Sequence, residues 1–142
     1  MNNPIELDQQ YFVTDQLAVS DITVLKEHGF ERIINNRPEL EADDQPKGDT
    51  LRIAAEALGM EYVANPVDLS KLSKVEVDLQ ASVLKSDKKT LAFCRTGTRS
   101  SVLWVLTENA KGKSYDELVA QVNKAGFDLT RCVPAMTPLI QN

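Results

Sequence analysis

No stretch of this chain approaches the about 20 consecutive apolar residues that a bilayer-spanning helix needs. The opening Met1-Asn2-Asn3-Pro4-Ile5-Glu6 has neither the basic residues nor the apolar run of a secretory signal. The expected location is the cytoplasm, with no membrane as partner. Histidine is almost missing: His28 is the only one, and at the end of a helical segment it is suited to complementing the helix dipole. That argues against a Cys-His protease. No His/Cys/carboxylate cluster has metal-ligand spacing, and neither a metal nor another cofactor is expected. The two cysteines, Cys94 and Cys132, are too few for a disulfide framework and read as reduced thiols. Six glycines and six prolines in 142 residues leave no room for a long linker, and no repeat or low-complexity tract occurs. A single domain over residues 1–142 is expected. Basic residues are outnumbered, 16 Lys and Arg against 21 Asp and Glu for a net charge of −5. With no basic stripe interleaved with aromatics, nucleic acid is set aside as a partner class. An anionic substrate must then be drawn by local groups.

What is present is an alternation of strand and helix patterns. Tyr11-Phe12-Val13 suits a short edge strand, and Ser20-Asp21 can cap a helix carrying Ile22 and Leu25 that ends at Gly29. Arg32 to Arg37 reads as a strand, and Pro38 with the acidic stretch from Glu39 to Pro46 as an exposed loop at its carboxyl end. A helix over Asp49 to Leu58 and a strand over Glu61 to Ala64 follow. Ser73-Lys74-Val75-Glu76 is a capping box opening a helix with Val75, Leu79, Val83 and Leu84 inward, and Thr90 to Phe93 suits a buried strand. Ser100 to Asn109 is a broadly apolar helix, and Ser114 to Glu117 forms a second capping box for a helix running to Gly126. The expected fold is α/β, with a mostly parallel sheet of four to five strands flanked by helices on both faces. In such sheets ligands bind beyond the carboxyl ends of the strands. The loops carrying Arg37, Asp68 and Cys94 all fall at that edge.

Cys94-Arg95-Thr96-Gly97-Thr98-Arg99-Ser100 joins a buried strand to a helix. Backbone N–H groups of the loop and of the first helical turn should converge there and favour negative charge. Gly97 lets the turn close, Arg99 can grip an oxyanion through two parallel hydrogen bonds, and both lower the cost of ionising Cys94. Cys94 is therefore the candidate nucleophile. Arg95, Thr96, Gly97 and Thr98 are the candidate substrate-binding residues beside it, with Arg95 contributing less than Arg99 because its place directly after Cys94 aims it away from the anion. Asp68 stands on a neighbouring loop, where it serves either as a proton donor or as a turn aspartate before Leu69-Ser70. Arg37 has two readings as well: a reach into the same pocket, or pairing with Glu39 or Glu41 in its own loop. Cys132 lacks an activating frame, and a resolving role depends on its folding near Cys94.

The strand-Cys-x-x-Gly-x-Arg-Ser-helix segment resembles the active-site loop of cysteine-dependent protein phosphatases and of rhodanese-type sulfurtransferases. Taken with Val13-Thr14-Asp15-Gln16, Ile33 to Glu39, Asp44-Gln45-Pro46, Asn65-Pro66-Val67-Asp68, Trp104 and Ala125 to Leu129, the chain resembles the bacterial beta-lactamase-hydrolase-like protein, phosphatase-like domain family over nearly its full length. The resemblance implies a cysteine-phosphatase-like fold and hydrolysis of a phosphate monoester through a phosphocysteine on Cys94. Arg99 and the loop amides would hold the phosphate, Asp68 would protonate the leaving oxygen, and Ser100 would stabilise the departing thiolate. The implied partner is a small anionic or phosphorylated substrate. Relatives occur fused to metallo-hydrolase domains, so a separately supplied metallo-hydrolase is a conceivable partner.

One feature departs from the tyrosine and dual-specificity phosphatases, which place five residues between Cys and Arg and usually His before the Cys. Here four residues separate Cys94 from Arg99 and Phe93 precedes the cysteine. The shorter loop makes a smaller cradle and resembles rhodanese, whose cysteine carries a persulfide. A sulfurtransferase is the alternative reading, and a non-catalytic anion-binding or partner-binding module is a second alternative.

Overall fold

Alternation along the central strands divides the core in two. On β3 (Arg32–Asn35) and β5 (Thr90–Phe93), Ile33, Leu91 and Phe93 face one side of the sheet, while Ile34 and Ala92 face the other. Successive side chains on a strand point to opposite faces, so the central residues of strands buried on both sides are apolar, while Arg32, Asn35 and Thr90 at the strand ends are buried polar groups. One half-core is closed by Ile22 and Leu25 of α1 (Val19–Glu27) and Leu51 and Ala55 of α2 (Gly48–Ala57). The other is closed by α4 (Thr98–Ala110) together with α3 (Lys74–Val83) and α5 (Tyr115–Lys124). Every residue of α4 from Ser100 to Asn109 is buried, because this helix is enclosed between the sheet and its two neighbours.

The computed structural model describes residues 1–141. Its five-stranded sheet has the order β1-β2-β5-β3-β4, with β1 (Ile5–Asp8), β2 (Tyr11–Thr14) and β4 (Glu61–Ala64) completing it. All neighbours are parallel except β1, which runs antiparallel to β2. The expectation of a mostly parallel α/β sheet with helices on both faces holds. Among the described residues, no helix is long and apolar enough to cross a membrane.

Three expectations need correction. Tyr11 to Val13 is not an edge strand, because β1 covers its outer side with Ile5 opposite Val13. In β1 only Leu7 turns inward, too little alternation to stand out. On α3, Val75 is 71% exposed and Leu79 40% exposed, while Val77 and Gln80 are buried. The helix is rotated to bring the Gln80 amide over the carboxyl ends of β3 and β4, where polar groups need partners. Finally, α1 starts at Val19 with Ala18 as its N-cap, and Asp21 accepts the Ala18 N–H at 2.7 Å. The Ser73 capping box forms as expected; at α5 Ser114 accepts from the Glu117 N–H.

The chain passes from β2 to β3 and then β4 before α3 returns it to β5, which enters between β2 and β3. The carboxyl end of β5 is therefore flanked by parallel strands on both sides, the crevice in which open α/β sheets place their ligands.

Candidate active site

Cys94 follows the last residue of β5 and is fully buried. Its Sγ accepts the Gly97 N–H at 3.1 Å. Gly97 has φ of 96°, in the left-handed region that favours glycine, and it is the N-cap of α4. A Cβ here would lie 2.9 Å from the Phe127 ring and 3.3 Å from the Thr14 carbonyl oxygen. Both conformation and space demand glycine. The loop thus folds back so that one amide and the positive end of a 13-residue helix face the sulfur.

Arg99, the second residue of α4, is held by contacts from two other loops. Its Nη1 donates to Glu41 Oε2 at 2.6 Å and to the Val67 carbonyl at 3.1 Å, and its Nη2 donates to Glu41 Oε1 at 2.8 Å. A guanidinium has five N–H groups, and these contacts engage its far end. Nε and the remaining Nη2 hydrogen, the side-on edge that suits a tetrahedral oxyanion, have no oxygen or nitrogen partner among the described residues, and the Cys94 sulfur is the protein group that acts on the guanidinium beside Glu41. The Glu41 hydrogen bond raises the Arg99 pKa most, and the nearby Cys94 sulfur raises it further. In the other direction, the Arg99 hydrogen bond, helped by Arg37, lowers the Glu41 carboxyl to about 2.

Arg37 therefore takes the second of its two readings. Its Nε donates to Glu41 Oε1 at 2.9 Å and its Nη1 to Gln16 at 2.9 Å. It is 5% exposed and supports the site from behind, through the same carboxylate that orients Arg99.

Beneath the loop lies a buried polar network. Ser100 Oγ donates to Asn36 Oδ1 at 2.9 Å, so its proton is directed to Asn36 rather than to Cys94. Asn36 Nδ2 donates to the Asn65 carbonyl and to Gln80, Asn65 Nδ2 donates to Gln80 and to the Glu76 carbonyl, and Gln80 Nε2 donates to the Tyr11 hydroxyl. Tyr11 in turn donates to the Ser100 carbonyl at 2.9 Å. Burial raises the Tyr11 pKa, and the Gln80 hydrogen bond offsets part of that rise.

Above the loop opens a cleft of about 1040 Å³, lined by Arg95, Thr96, Thr98 and Arg99 from the Cys94 loop and α4, Glu41 and Asp68 from neighbouring loops, and Phe127, Asp128, Arg131 and Cys132 from the chain after α5. Asp68 belongs to this wall and is also a turn aspartate: its Oδ1 accepts the Ser70 N–H at 3.0 Å and the Ser70 hydroxyl at 2.7 Å. These bonds lower its pKa, the hydroxyl most, which favours the ionised carboxylate.

The family model for the beta-lactamase hydrolase-like protein, phosphatase-like domain, matches residues 6–111. The chain belongs to that family. A beta-lactamase hydrolase-like protein of Xylella fastidiosa is 28% identical over 131 residues, which is 91% of this chain but 30% of the relative. The chain thus spans under a third of the length of such curated family members. A solved Neisseria meningitidis structure, a candidate phosphatase, is 29% identical with a TM-score of 0.80, covering 92% of this chain and 96% of that one. The Cydia pomonella PTP-2 phosphatase superimposes with a TM-score of 0.75 at 12% identity, covering 97% and 90%, which shows a shared fold. The family match ends at residue 111, so the cleft wall formed by Phe127, Asp128, Arg131 and Cys132 lies beyond it.

Sequence reasoning placed the Cys94 loop and Asp68 at one cleft but missed two contributors. Glu41 was named only as a local partner for Arg37; its position past a strand end, in the loop that follows, was the available signal. Arg131 gave no signal, because a lone arginine 32 residues after Arg99 has no pattern to belong to. Cys132 does fold into the cleft wall near Cys94, and burial raises its pKa.

Proposed function

We propose that this protein is a cysteine-dependent phosphatase acting on phosphate monoesters. The observation that carries the reading is the free side-on edge of Arg99, fixed by Glu41 beside a sulfur that already accepts a loop amide. The Cys94 thiolate attacks phosphorus, an S–P bond forms as the ester O–P bond breaks, and the leaving oxygen takes a proton from Asp68, which has taken that proton from solvent once the negative phosphate lies beside it. Water then attacks the phosphocysteine, giving a proton to the Asp68 carboxylate as its O–P bond forms and the S–P bond breaks to return the Cys94 thiolate, with Arg99 and the loop amides stabilising the equatorial oxygens in both steps. For Ser100 to steady the departing thiolate, its hydroxyl must turn from Asn36 toward Cys94. Membership of a phosphatase-like family supports the reading.

The four-residue spacing between Cys94 and Arg99 favours a second reading, sulfur transfer through a persulfide on Cys94. Sulfur transfer needs no acid, which makes Asp68 the discriminator. The test measures an activated aryl phosphate, phenyl phosphate and thiosulfate-to-thiol transfer on wild type, Asp68→Asn and Cys94→Ser. Cys94-dependent phosphate release is expected, with Asp68→Asn losing about 10²- to 10⁴-fold on phenyl phosphate and little on the activated ester. Fast Cys94-dependent sulfur transfer with negligible phosphate hydrolysis would overturn the phosphatase in favour of the second reading.

A further inference from the structure

Four of the six arginines, Arg32, Arg37, Arg52 and Arg99, form ion pairs with carboxylates. The other two, Arg95 and Arg131, have no carboxylate partner among the described residues, and both line the cleft above Cys94. They come from separate elements: Arg95 from the Cys94 loop, and Arg131 from the 3-10 turn Thr130–Cys132 after α5. The three carboxylates of the same wall are already engaged. Glu41 holds Arg37 and Arg99, Asp68 holds Ser70, and Asp128 accepts the Thr130 N–H at 2.9 Å and the Thr130 hydroxyl at 2.6 Å. The cleft therefore presents two guanidinium groups with unused donors, and none of its three carboxylates forms an ion pair with either of them. Its volume of about 1040 Å³ lies at the upper end of the about 300 to 1,000 Å³ range of small-molecule sites. That is far more room than one phosphate fills.

We infer that Arg95 and Arg131 form a second anion subsite, and that the substrate class is a phosphate monoester carrying a further anionic group, a carboxylate or a second phosphate. The inference deepens the proposed function and rests on the ester phosphate docking at the Cys94 loop. Arginine suits this task because its planar donor fork matches carboxylate and phosphate oxygens. Leu69 and Phe127, also on the wall, supply apolar surface for the body of such a molecule.

The probes are 4-(2-carboxyethyl)phenyl phosphate and its methyl ester, which share a phenol leaving group and differ in one distant charge. At fixed ionic strength, kcat/KM is measured on wild type, Arg95→Gln, Arg131→Gln and the double variant, and binding of both probes is measured by calorimetry on Cys94→Ser with and without the two arginine changes. Wild type is expected to favour the acid about tenfold, the scale of a charge-assisted contact at a solvent-accessible site. The double variant should bring the ratio close to one in both measurements. Both side chains are exposed, so folding should be retained, and circular dichroism checks it. A ratio near one in wild type, or a preference that survives the double variant, overturns the subsite. If neither probe is hydrolysed but the arginine-dependent binding preference stands, the phosphatase reading fails and the subsite survives.

Discussion

Arg99 illustrates how a single side chain can be both anchored and available. Three of its donors are tied to Glu41 and Val67, which fixes the plane of the guanidinium, and the two that remain point along its other edge. Lysine carries the same charge on three rotatable donors and cannot satisfy Glu41 end-on while offering a second planar edge. Arg99→Lys is therefore expected to lower kcat/KM for an aryl phosphate by about 10²- to 10³-fold, the usual loss when a preorganised oxyanion donor is removed. Its unfolding midpoint in urea should move far less than the rate does. A variant within a few-fold of wild type would mean that the loop amides alone hold the anion. Cys94 and Arg99 were legible from the sequence because both lie within six residues at a strand-to-helix junction. The orientation of Arg99 was not, since it depends on a carboxylate 58 residues earlier in the chain.

At the scale of the element, the loop from Pro38 to Lys47 is a rigid bracket. Gln45 Nε2 donates to the Pro38 carbonyl and Gln45 Oε1 accepts the Glu41 N–H, each at 2.9 Å, while Glu39 accepts the Gly48 N–H at 2.8 Å. These bonds hold Leu40 at a φ of 64°, a left-handed conformation that costs a leucine about 1 to 2 kcal/mol. The leucine side chain is 90% exposed, so packing does not explain the strain. What the turn achieves is the direction of the next residue, Glu41, toward Arg99. Composition had marked this stretch as an acidic, solvated loop, and acidity alone does not distinguish a solvated carboxylate from a clamped one.

The clamp has a pH signature. Glu41 has a folded pKa of about 2, below its unfolded value of 4.5, because Arg99 and then Arg37 stabilise the charged form. A carboxyl depressed on folding contributes stability that is fully present above the unfolded pKa and is lost as pH falls through the folded one. With a side chain 30% exposed, solvent screening reduces the contribution to about 1 to 2 kcal/mol. Glu41→Gln should be less stable than wild type by that amount at pH 7. Urea midpoints taken from pH 7 down to pH 3 should show the gap narrowing below about pH 4.5, and a gap constant over that span would place the stabilisation elsewhere. The same variant should lose activity through a lower kcat, because Arg99 becomes free to turn.

Across the whole molecule, the sheet, the α3 face and the start of α4 meet in the polar network under Cys94. The alternation of strands and helices gave the layers correctly, since apolar periodicity reports which faces are buried. It misplaced the α3 face because periodicity scores Gln80 as a surface residue, and the apolar Val75 and Leu79 seemed to belong inside. In the fold Gln80 is fully buried, and its amide bonds Tyr11 of β2, Asn36 after β3 and Asn65 after β4. Asn36 and Asn65 stand just past the carboxyl ends that carry the loops of the cleft, and Asn36 and Tyr11, the latter from the start of β2, both reach Ser100. Gln80→Leu conserves volume but deletes these bonds and leaves buried amide and hydroxyl groups short of partners, each a cost of about 1 to 3 kcal/mol. The side chains of Tyr11 and Asn65 each keep one other partner and that of Asn36 keeps two, which limits the loss. The variant should therefore lose about 2 to 4 kcal/mol of unfolding free energy by urea titration, without a change in the denaturant slope. Activity should fall further than for an exposed substitution on the same helix such as Val75→Ala, because the network fixes Ser100 and the first turn of α4 from below. If Gln80→Leu is as stable and as active as wild type, the network is a packing detail, and the geometry of the Cys94 loop must be set by the backbone of β5 and α4 alone.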